Sequence, residues 1–304
     1  MDIQKVLEQY RRGEIDLAEA EDAVRSMGFL SVSDIARVDT FRCKRTGVPE
    51  AVLAEGKTDD DLLAIVRAQV DAVGRVLVTR VSSAQMVLLE SAFPNCVQKS
   101  RAQTICVVHA ADRSEPPKGG GVVAIISAGT VDIKVAEETK MTAEEMGCQT
   151  IEIYDVGVAG YHRLILEMEN LREAKPDAVV VAAGREGTLP TVVAGIIDVP
   201  VIGLPVSSGY GMGANGEAAL LSMLQSCSVI SVVNIDAGFV AGAYAARIAN
   251  RMQAARSGDK HGGQYSNHSN HNNHSGNHKN YNTHNNRNEK SDEKHRTNHG
   301  GNHQ

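Results

Sequence analysis

Residues 122–130 read Val-Val-Ala-Ile-Ile-Ser-Ala-Gly-Thr, an unbroken apolar run that passes directly into a glycine turn. A run of that length with a turn signal behind it predicts a β-strand feeding a βα connection. The arrangement recurs down the chain, with strands predicted at 151–155, 178–182, 200–204 and 229–235 and helices at 132–146, 161–174, 188–197, 215–226 and 238–255. Alternation of this kind implies parallel strands joined by crossover helices. Residues 122–256 are therefore expected to form a doubly wound, three-layer α/β domain of the flavodoxin or Rossmann type.

Four of these strands end in glycine-rich turns: Ser127-Ala-Gly-Thr130, Asp155-Val-Gly-Val-Ala-Gly160, Ala183-Gly-Arg-Glu-Gly187 and Pro205-Val-Ser-Ser-Gly-Tyr-Gly-Met-Gly213. The fifth ends in Asn234-Ile-Asp236. Carboxyl ends of parallel strands share one edge, so the five loops should converge on one crevice. Free amides at the helix starts attract anions there, which makes a phosphorylated ligand the natural expectation. Neither GxGxxG after the first strand nor a GxxxxGK[ST] phosphate loop is present, so the ordinary nucleotide signatures are missing. The polar side chains of this edge are Ser127, Thr130, Asp132, Asp155, His162, Glu186, Ser207, Ser208, Asn234 and Asp236. Taken singly, Asp132 also suits the cap of the helix it precedes, and Ser208 the bracing of its own loop.

Upstream of the first strand, Arg113-Ser-Glu-Pro-Pro-Lys-Gly-Gly-Gly121 has the composition of a linker, and the boundary is set at 116–121. Residues 30–115 before it read as a small α+β domain. The stretch 39–50 suggests a loop, Ala51–Lys57 a short strand, and Thr58-Asp-Asp-Asp61 the cap and acidic first turn of a helix to Val73; 76–81 and 104–109 are β-rich. Residues 1–29 carry helical spacing, with Gly28 as a stop. Downstream of the last helix, residues 257–304 lose their hydrophobic content; 261–304 hold nine His and twelve Asn with no aliphatic side chain, which predicts a disordered tail.

The chain as a whole has 304 residues, 42% of them hydrophobic, enough for a sizeable core. A net charge of −6 argues against a nucleic-acid partner. No apolar run approaches the roughly 18 residues of a membrane span, and Met1-Asp-Ile-Gln-Lys5 lacks the pattern of a signal peptide, so a cytoplasmic enzyme is expected. The five cysteines, widely spaced and without CxxC, indicate neither a disulfide framework nor a zinc cluster. Cys227, at the carboxyl end of a predicted helix, reads from position alone as a structural thiol, because a helix carboxyl end does not lower a thiol pKa.

Six ordered motifs in the second half carry a family resemblance: Ser127-Ala-Gly-Thr-Val-Asp-Ile-Lys-Val-Ala-Glu-Glu138, Asp155 to Arg163, Ala183 to Pro190, Ser207-Ser-Gly-Tyr-Gly211, Leu221-Ser-Met-Leu-Gln-Ser-Cys227 and Val233-Asn-Ile-Asp236. Together with Asp39-Thr-Phe-Arg42, Arg45 to Glu50 and Gly56-Lys57 they resemble the LarB family over about residues 30–255. The second half is also similar to the aminoimidazole ribonucleotide (AIR) carboxylases, PurE, of purine synthesis, which implies a PurE-like fold. LarB enzymes open the biosynthesis of a nickel-pincer nucleotide. They carboxylate the pyridinium ring of nicotinic acid adenine dinucleotide with CO2 and hydrolyse its phosphoanhydride, releasing AMP and pyridinium-3,5-biscarboxylic acid mononucleotide.

The resemblance implies roles. Carbon 5 of a pyridinium ring is electron-poor, and addition of a thiolate turns the ring into an enamine able to attack CO2. The family's nucleophile corresponds to Cys227. Glu186 or Asp132 would take the proton from carbon 5, with Glu186 preferred. Ser127, Gly129, Thr130, Ser208 and Gly209 would hold phosphate and carboxylate, with Asp155, Gly157, Gly184, Asn234 and Asp236 completing the substrate site. His162 would position CO2 or a phosphate, and Arg42, Arg45 and Lys57 the adenylate side. Mg²⁺ is expected on the phosphates. A homo-oligomer, tetramer or octamer, is implied by the purine relatives, whose sites lie at subunit contacts. Arg185 stands where the family usually has an apolar residue.

Imidazoles on a flexible segment suit Ni²⁺, so His268, His271, His274 and His278 are candidate nickel ligands of the tail, against the alternative of a solubilising appendage. Two competing readings follow: a nickel store or metallochaperone using the tail, and a purine-type aminoimidazole ribonucleotide carboxylase.

Overall fold

The computed structural model describes residues 3–32, 34–112 and 115–258. The chain opens with two helices, α1 (Ile3–Arg11) and α2 (Leu17–Met27). Asp16 accepts from the Glu19 amide while the Glu19 carboxylate accepts from the Asp16 amide, a reciprocal cap that starts α2. A small antiparallel hairpin follows, β1 (Leu30–Val32) and β2 (Ala36–Val38). The stretch expected to be a loop holds a five-residue helix, α3 (Arg42–Thr46), ended by Gly47 at φ 73°. Its polar composition hid it, because the helix buries no residue and so shows no apolar periodicity.

Then come β3 (Ala51–Leu53), α4 (Asp59–Val73), β4 (Arg75–Thr79), α5 (Ser83–Ala92), β5 (Val97–Lys99) and β6 (Ile105–His109). The four strands form a mixed sheet in the order β3-β4-β6-β5. Alternate residues serve opposite faces, as strand geometry requires. Val76, Val78, Cys106 and Val108 pack with Leu62, Val66 and Leu89 of α4 and α5. Leu77, Ile105 and Val107 face the other way and meet Met141 and Phe239 from the second half of the chain.

That second half contains β7 (Val122–Ser127), α6 (Ile133–Glu145), β8 (Gln149–Ile153), α7 (Tyr161–Ala174), β9 (Ala178–Ala183), α8 (Leu189–Ala194), β10 (Val201–Pro205), α9 (Glu217–Leu224), β11 (Ser231–Val232) and α10 (Gly238–Ser257). All five strands are parallel, in the order β11-β10-β9-β7-β8. The doubly wound PurE-like α/β fold expected from the alternation is the fold observed. Strand β11 is shorter than expected, because pairing with β10 covers Ser231 and Val232 before the chain turns toward Asp236.

Helices α6 and α10 cover one face of this sheet, through Val135, Ala136, Ala241 and Ala245, and α7 to α9 the other, through Leu164, Leu171, Val193 and Met223. The backbones of α6 and α10 come close at Gly242, where a Cβ would stand 2.5 Å from the Thr139 carbonyl oxygen. The two sheets share more than a connection. Arg75 of β4 makes two hydrogen bonds to Glu145 of α6, at 2.6 and 3.0 Å, with both side chains nearly buried. The Arg101 amide donates to Glu137 of α6 at 3.1 Å. Within residues 116–121, read as a linker, the last two are packed in the same way: a Cβ on Gly120 or Gly121 would stand 2.3 Å from Asn250 or Asp177 oxygens. Glycine there permits close approach instead of freedom. Among the described residues no helix is long and apolar enough to cross a membrane.

Candidate active site

Strand β8 lies on one side of β7 and β9 on the other, so the chain direction across the sheet reverses between β7 and β9. In open parallel sheets the crevice at such a reversal is where ligands bind. Asp132, 4% exposed, sits there ahead of α6. It does not cap its helix through its own side chain. Its Oδ2 accepts from the Gly129 amide at 2.9 Å and its Oδ1 from the Ser208 hydroxyl at 2.7 Å. The loops after β7 and β10 are thereby tied together over the loop after β9. A Cβ on Gly184 would lie 2.0 Å from the Ser208 Oγ and 3.2 Å from the Asp132 Oδ1, so only glycine fits beneath that bond.

The other loops join the same edge. Asp236, at φ 53°, accepts the Ser207 amide on its Oδ1 at 2.9 Å, which links the β11 and β10 loops. Gly157 lies against the Ala128 carbonyl, and the Ser127 Oγ accepts from the Asp155 amide at 3.2 Å, linking β8 to β7. Ser127 is wholly buried, so its hydroxyl oxygen braces a loop, a correction to its expected contact with phosphate. Asp155 pairs with Arg163 at 2.7 Å. His162 and Glu186 are exposed on the rim, and Thr130 is exposed beside Gly129. The Asn234 Oδ1 accepts from the Ile235 amide and shapes its own turn. Gly209 approaches the Arg185 backbone, and the Arg185 guanidinium lies 4.6 Å from the centroid of the Tyr210 ring.

A cleft of about 760 Å³ opens where this edge meets the first sheet. Lys134, Glu138, Ser207, Ser208 and Asp236 line it from one side, and Glu55, Arg80, Ser82 and Gln85 from the other. Arg80, at φ 52°, pairs with Glu55 at 3.1 Å and donates to the Asp236 carbonyl at 3.5 Å. Glu138 is largely withdrawn from water, which raises its pKa to about 7; Arg80, the Phe239 amide and Lys134 pull it down and Asp236 pushes it up. Carboxyl groups poised near neutrality in a cleft are suited to proton transfer.

Two expectations are corrected. Arg42 pairs with Glu50 at 3.0 Å and Arg45 with Asp39, so both cations are neutralised within their own segment and neither lines the cleft. Lys57 lines a smaller cavity of the first sheet that shares Gly56 with the cleft. Cys227 is exposed and lies between α9 and β11, where the chain approaches the sheet before a strand begins. Residues preceding a parallel strand stand at its amino edge, opposite the five loops. Its neighbours Ser226 and Ser228 bond to Thr191 of α8. Within one chain, therefore, Cys227 is apart from Asp132 and Ser208. Arg80, Lys134 and Glu138 went unnoticed in the sequence; Lys134 and Glu138 lie within a quoted motif, whereas nothing local marks Arg80.

Among the described residues no three His, Cys, Asp or Glu side chains converge to hold a metal ion. The tail histidines His268, His271, His274 and His278 lie outside the described residues.

A doubly wound parallel sheet with glycine loops gathered at its switch point, joined to a second sheet across a cleft, defines a two-part enzyme of the AIR carboxylase type. Residues 122–263 match the AIR carboxylase family and residues 30–109 the LarB/PurE-like N-terminal domain. An uncharacterized protein of Methanocaldococcus jannaschii is 37% identical over 256 residues, covering 82% of this chain and 98% of that protein. N5-carboxyaminoimidazole ribonucleotide mutases of M. jannaschii and Pyrococcus horikoshii are 34% and 32% identical, over 38% and 40% of this chain and 71% and 66% of their own. The chain belongs to the LarB family, with a PurE-like carboxyl-terminal domain.

Proposed function

We propose that the protein carboxylates the pyridinium ring of nicotinic acid adenine dinucleotide and hydrolyses its phosphoanhydride, yielding pyridinium-3,5-biscarboxylic acid mononucleotide and AMP. The observation that carries this reading is the cleft lined by both family domains, whose volume of about 760 Å³ gives room for the nicotinate mononucleotide half and the phosphoanhydride that follows it. Thr130 offers its hydroxyl and Gly209 its amide to the nicotinate half, while the Gly129 amide and the Ser208 hydroxyl, both given to Asp132, hold the loops that present them. Arg80 and Lys134 take the anionic role first given to Arg42 and Arg45, because they line the cleft.

In the proposed chemistry the Cys227 thiolate adds to the ring, and the electron pair displaced makes carbon 5 nucleophilic. Carbon 5 bonds to CO2, a carboxylate accepts the proton carbon 5 then carries, and the C–S bond breaks as aromaticity returns. Glu186 and Asp132 remain candidates for that carboxylate, and Glu138 joins them as the one whose pKa lies near 7. Water cleaves the phosphoanhydride in a separate step.

Since Cys227 and the loops occupy opposite edges of one sheet, this chemistry needs the thiol of a second copy in each crevice. The surroundings of Cys227 support such a contact: Leu221, Leu224 and Val229 are 61%, 63% and 94% exposed. We therefore propose a homo-oligomer. Incubation with nicotinic acid adenine dinucleotide, bicarbonate and Mg²⁺ should release AMP and the biscarboxylated mononucleotide; absence of both overturns the reading. A cytoplasmic location and nickel binding by the tail remain proposals. Loss of nickel binding on truncation after Ser257, with carboxylation retained, would support the latter.

A further inference from the structure

The first sheet contains a second cavity, of about 370 Å³, between β2, β3 and α4. Its volume is within the range of small-molecule sites. Asp61, Ile65 and Gln69 line it from α4 at four-residue intervals, and so from one face of that helix. Gln69 is only 3% exposed, and its Oε1 has no hydrogen-bond partner among the described residues. A buried amide oxygen left unpaired costs about 1–3 kcal/mol, so its retention needs a reason.

Two further features give one. Lys57 lines the same cavity, is half-buried, and has no ion-pair partner among the described residues. By contrast Glu50, also on the wall, is already neutralised by Arg42. Gly56, at φ 78°, lines both this cavity and the larger cleft, so the two spaces adjoin at one residue. Gly56 thus stands between the cleft lined by Ser208 and Arg80 and the cavity lined by Lys57 and Gln69.

We propose that this cavity is the subsite for the purine nucleotide half of the substrate: an N–H donor of the base meets the Gln69 Oε1, and a phosphate near Gly56 meets Lys57. An orphan acceptor inside and a free cation on the wall are the pair of groups an adenylate would satisfy together. This rests on the dinucleotide reading above, and it assigns to Gln69 the recognition of the leaving half.

The full chain is titrated with AMP, adenosine and inorganic phosphate by calorimetry, independently of turnover. AMP should bind more tightly than adenosine or phosphate. Gln69→Leu should weaken AMP roughly tenfold, in line with the loss of one hydrogen bond, while Lys57→Ala weakens AMP but not adenosine. Ala36→Phe, which fills the cavity, should abolish binding of both, and it decides the matter if Gln69→Leu does not fold. AMP binding unchanged by Ala36→Phe overturns the subsite, and that holds whether or not the dinucleotide is turned over. Gln69-dependent AMP binding without carboxylation would instead keep the subsite and overturn the reaction.

Discussion

The Ser208 hydroxyl donates to the Asp132 Oδ1 at 2.7 Å, and this one bond closes the loops of β10 and β7 over the glycine of β9. Asp132 is buried, so removal of the donor leaves a carboxylate with one partner fewer. Ser208→Ala should lower stability by about 1.5–3 kcal/mol, read by denaturant titration. Gly184→Ala should displace the same hydroxyl, with AMP release falling by about a hundredfold or more, since misplacement by an ångström carries that cost. Wild-type turnover in Gly184→Ala would show that the bond is not needed.

Glu138 carries a pH signature. Its folded pKa, raised from 4.5 to about 7 chiefly by burial, means that the folded chain holds a proton which the unfolded chain has already released. Its contribution is fully present below pH 4.5 and is lost as pH rises to about 7. Comparison of wild type with Glu138→Gln by thermal melts should show the variant gaining relative stability across that window and no further above it. Equal pH profiles would show that Glu138 does not titrate in this window.

The opposite-edge placement of Cys227 can be tested by mixing inactive variants. Cys227→Ala and Asp132→Asn should each be inactive alone. Co-assembled oligomers of the two should recover part of the activity, while the double variant mixed with either single variant should not. A failure of well-mixed hybrids to recover would place thiol and carboxylate in the same chain's site.

Arg80 and Arg42 should behave differently although both are arginines of the first domain. Arg80→Ala should raise KM for the dinucleotide by roughly tenfold, the loss of one charge-assisted contact. Arg42→Ala should leave KM unchanged, because its charge is spent on Glu50.

Arg75→Ala should cost about 3 kcal/mol in a denaturant titration, since it strands the nearly buried Glu145. Glu145→Gln should cost less, because the amide keeps one acceptor for Arg75. Equal, small effects would mean that the two sheets are held by apolar packing alone.

The second half was readable because its signals are local: apolar runs of strand length, glycine turns and helical spacing alternate without interruption. The first half was harder, since α3 buries nothing and the residues that line the cleft come from loops brought together only by packing. Arg80 illustrates the limit. It is one arginine after a strand, and only the apposition of two sheets gives it a partner in Asp236. Asp39 and Glu50 stand within eight residues of Arg45 and Arg42, so their local neutralisation is legible in the sequence, and chain order alone puts a residue ahead of a parallel strand at the amino edge.

The face formed by Leu77, Ile105 and Val107 is covered by Met141 and Phe239. A ribosome adding roughly 5–20 residues per second reaches Phe239 on the order of ten seconds after Val107. For that interval the nascent first sheet carries an uncovered apolar face with no internal remedy. The order of synthesis thus exposes for seconds a surface that the finished molecule hides.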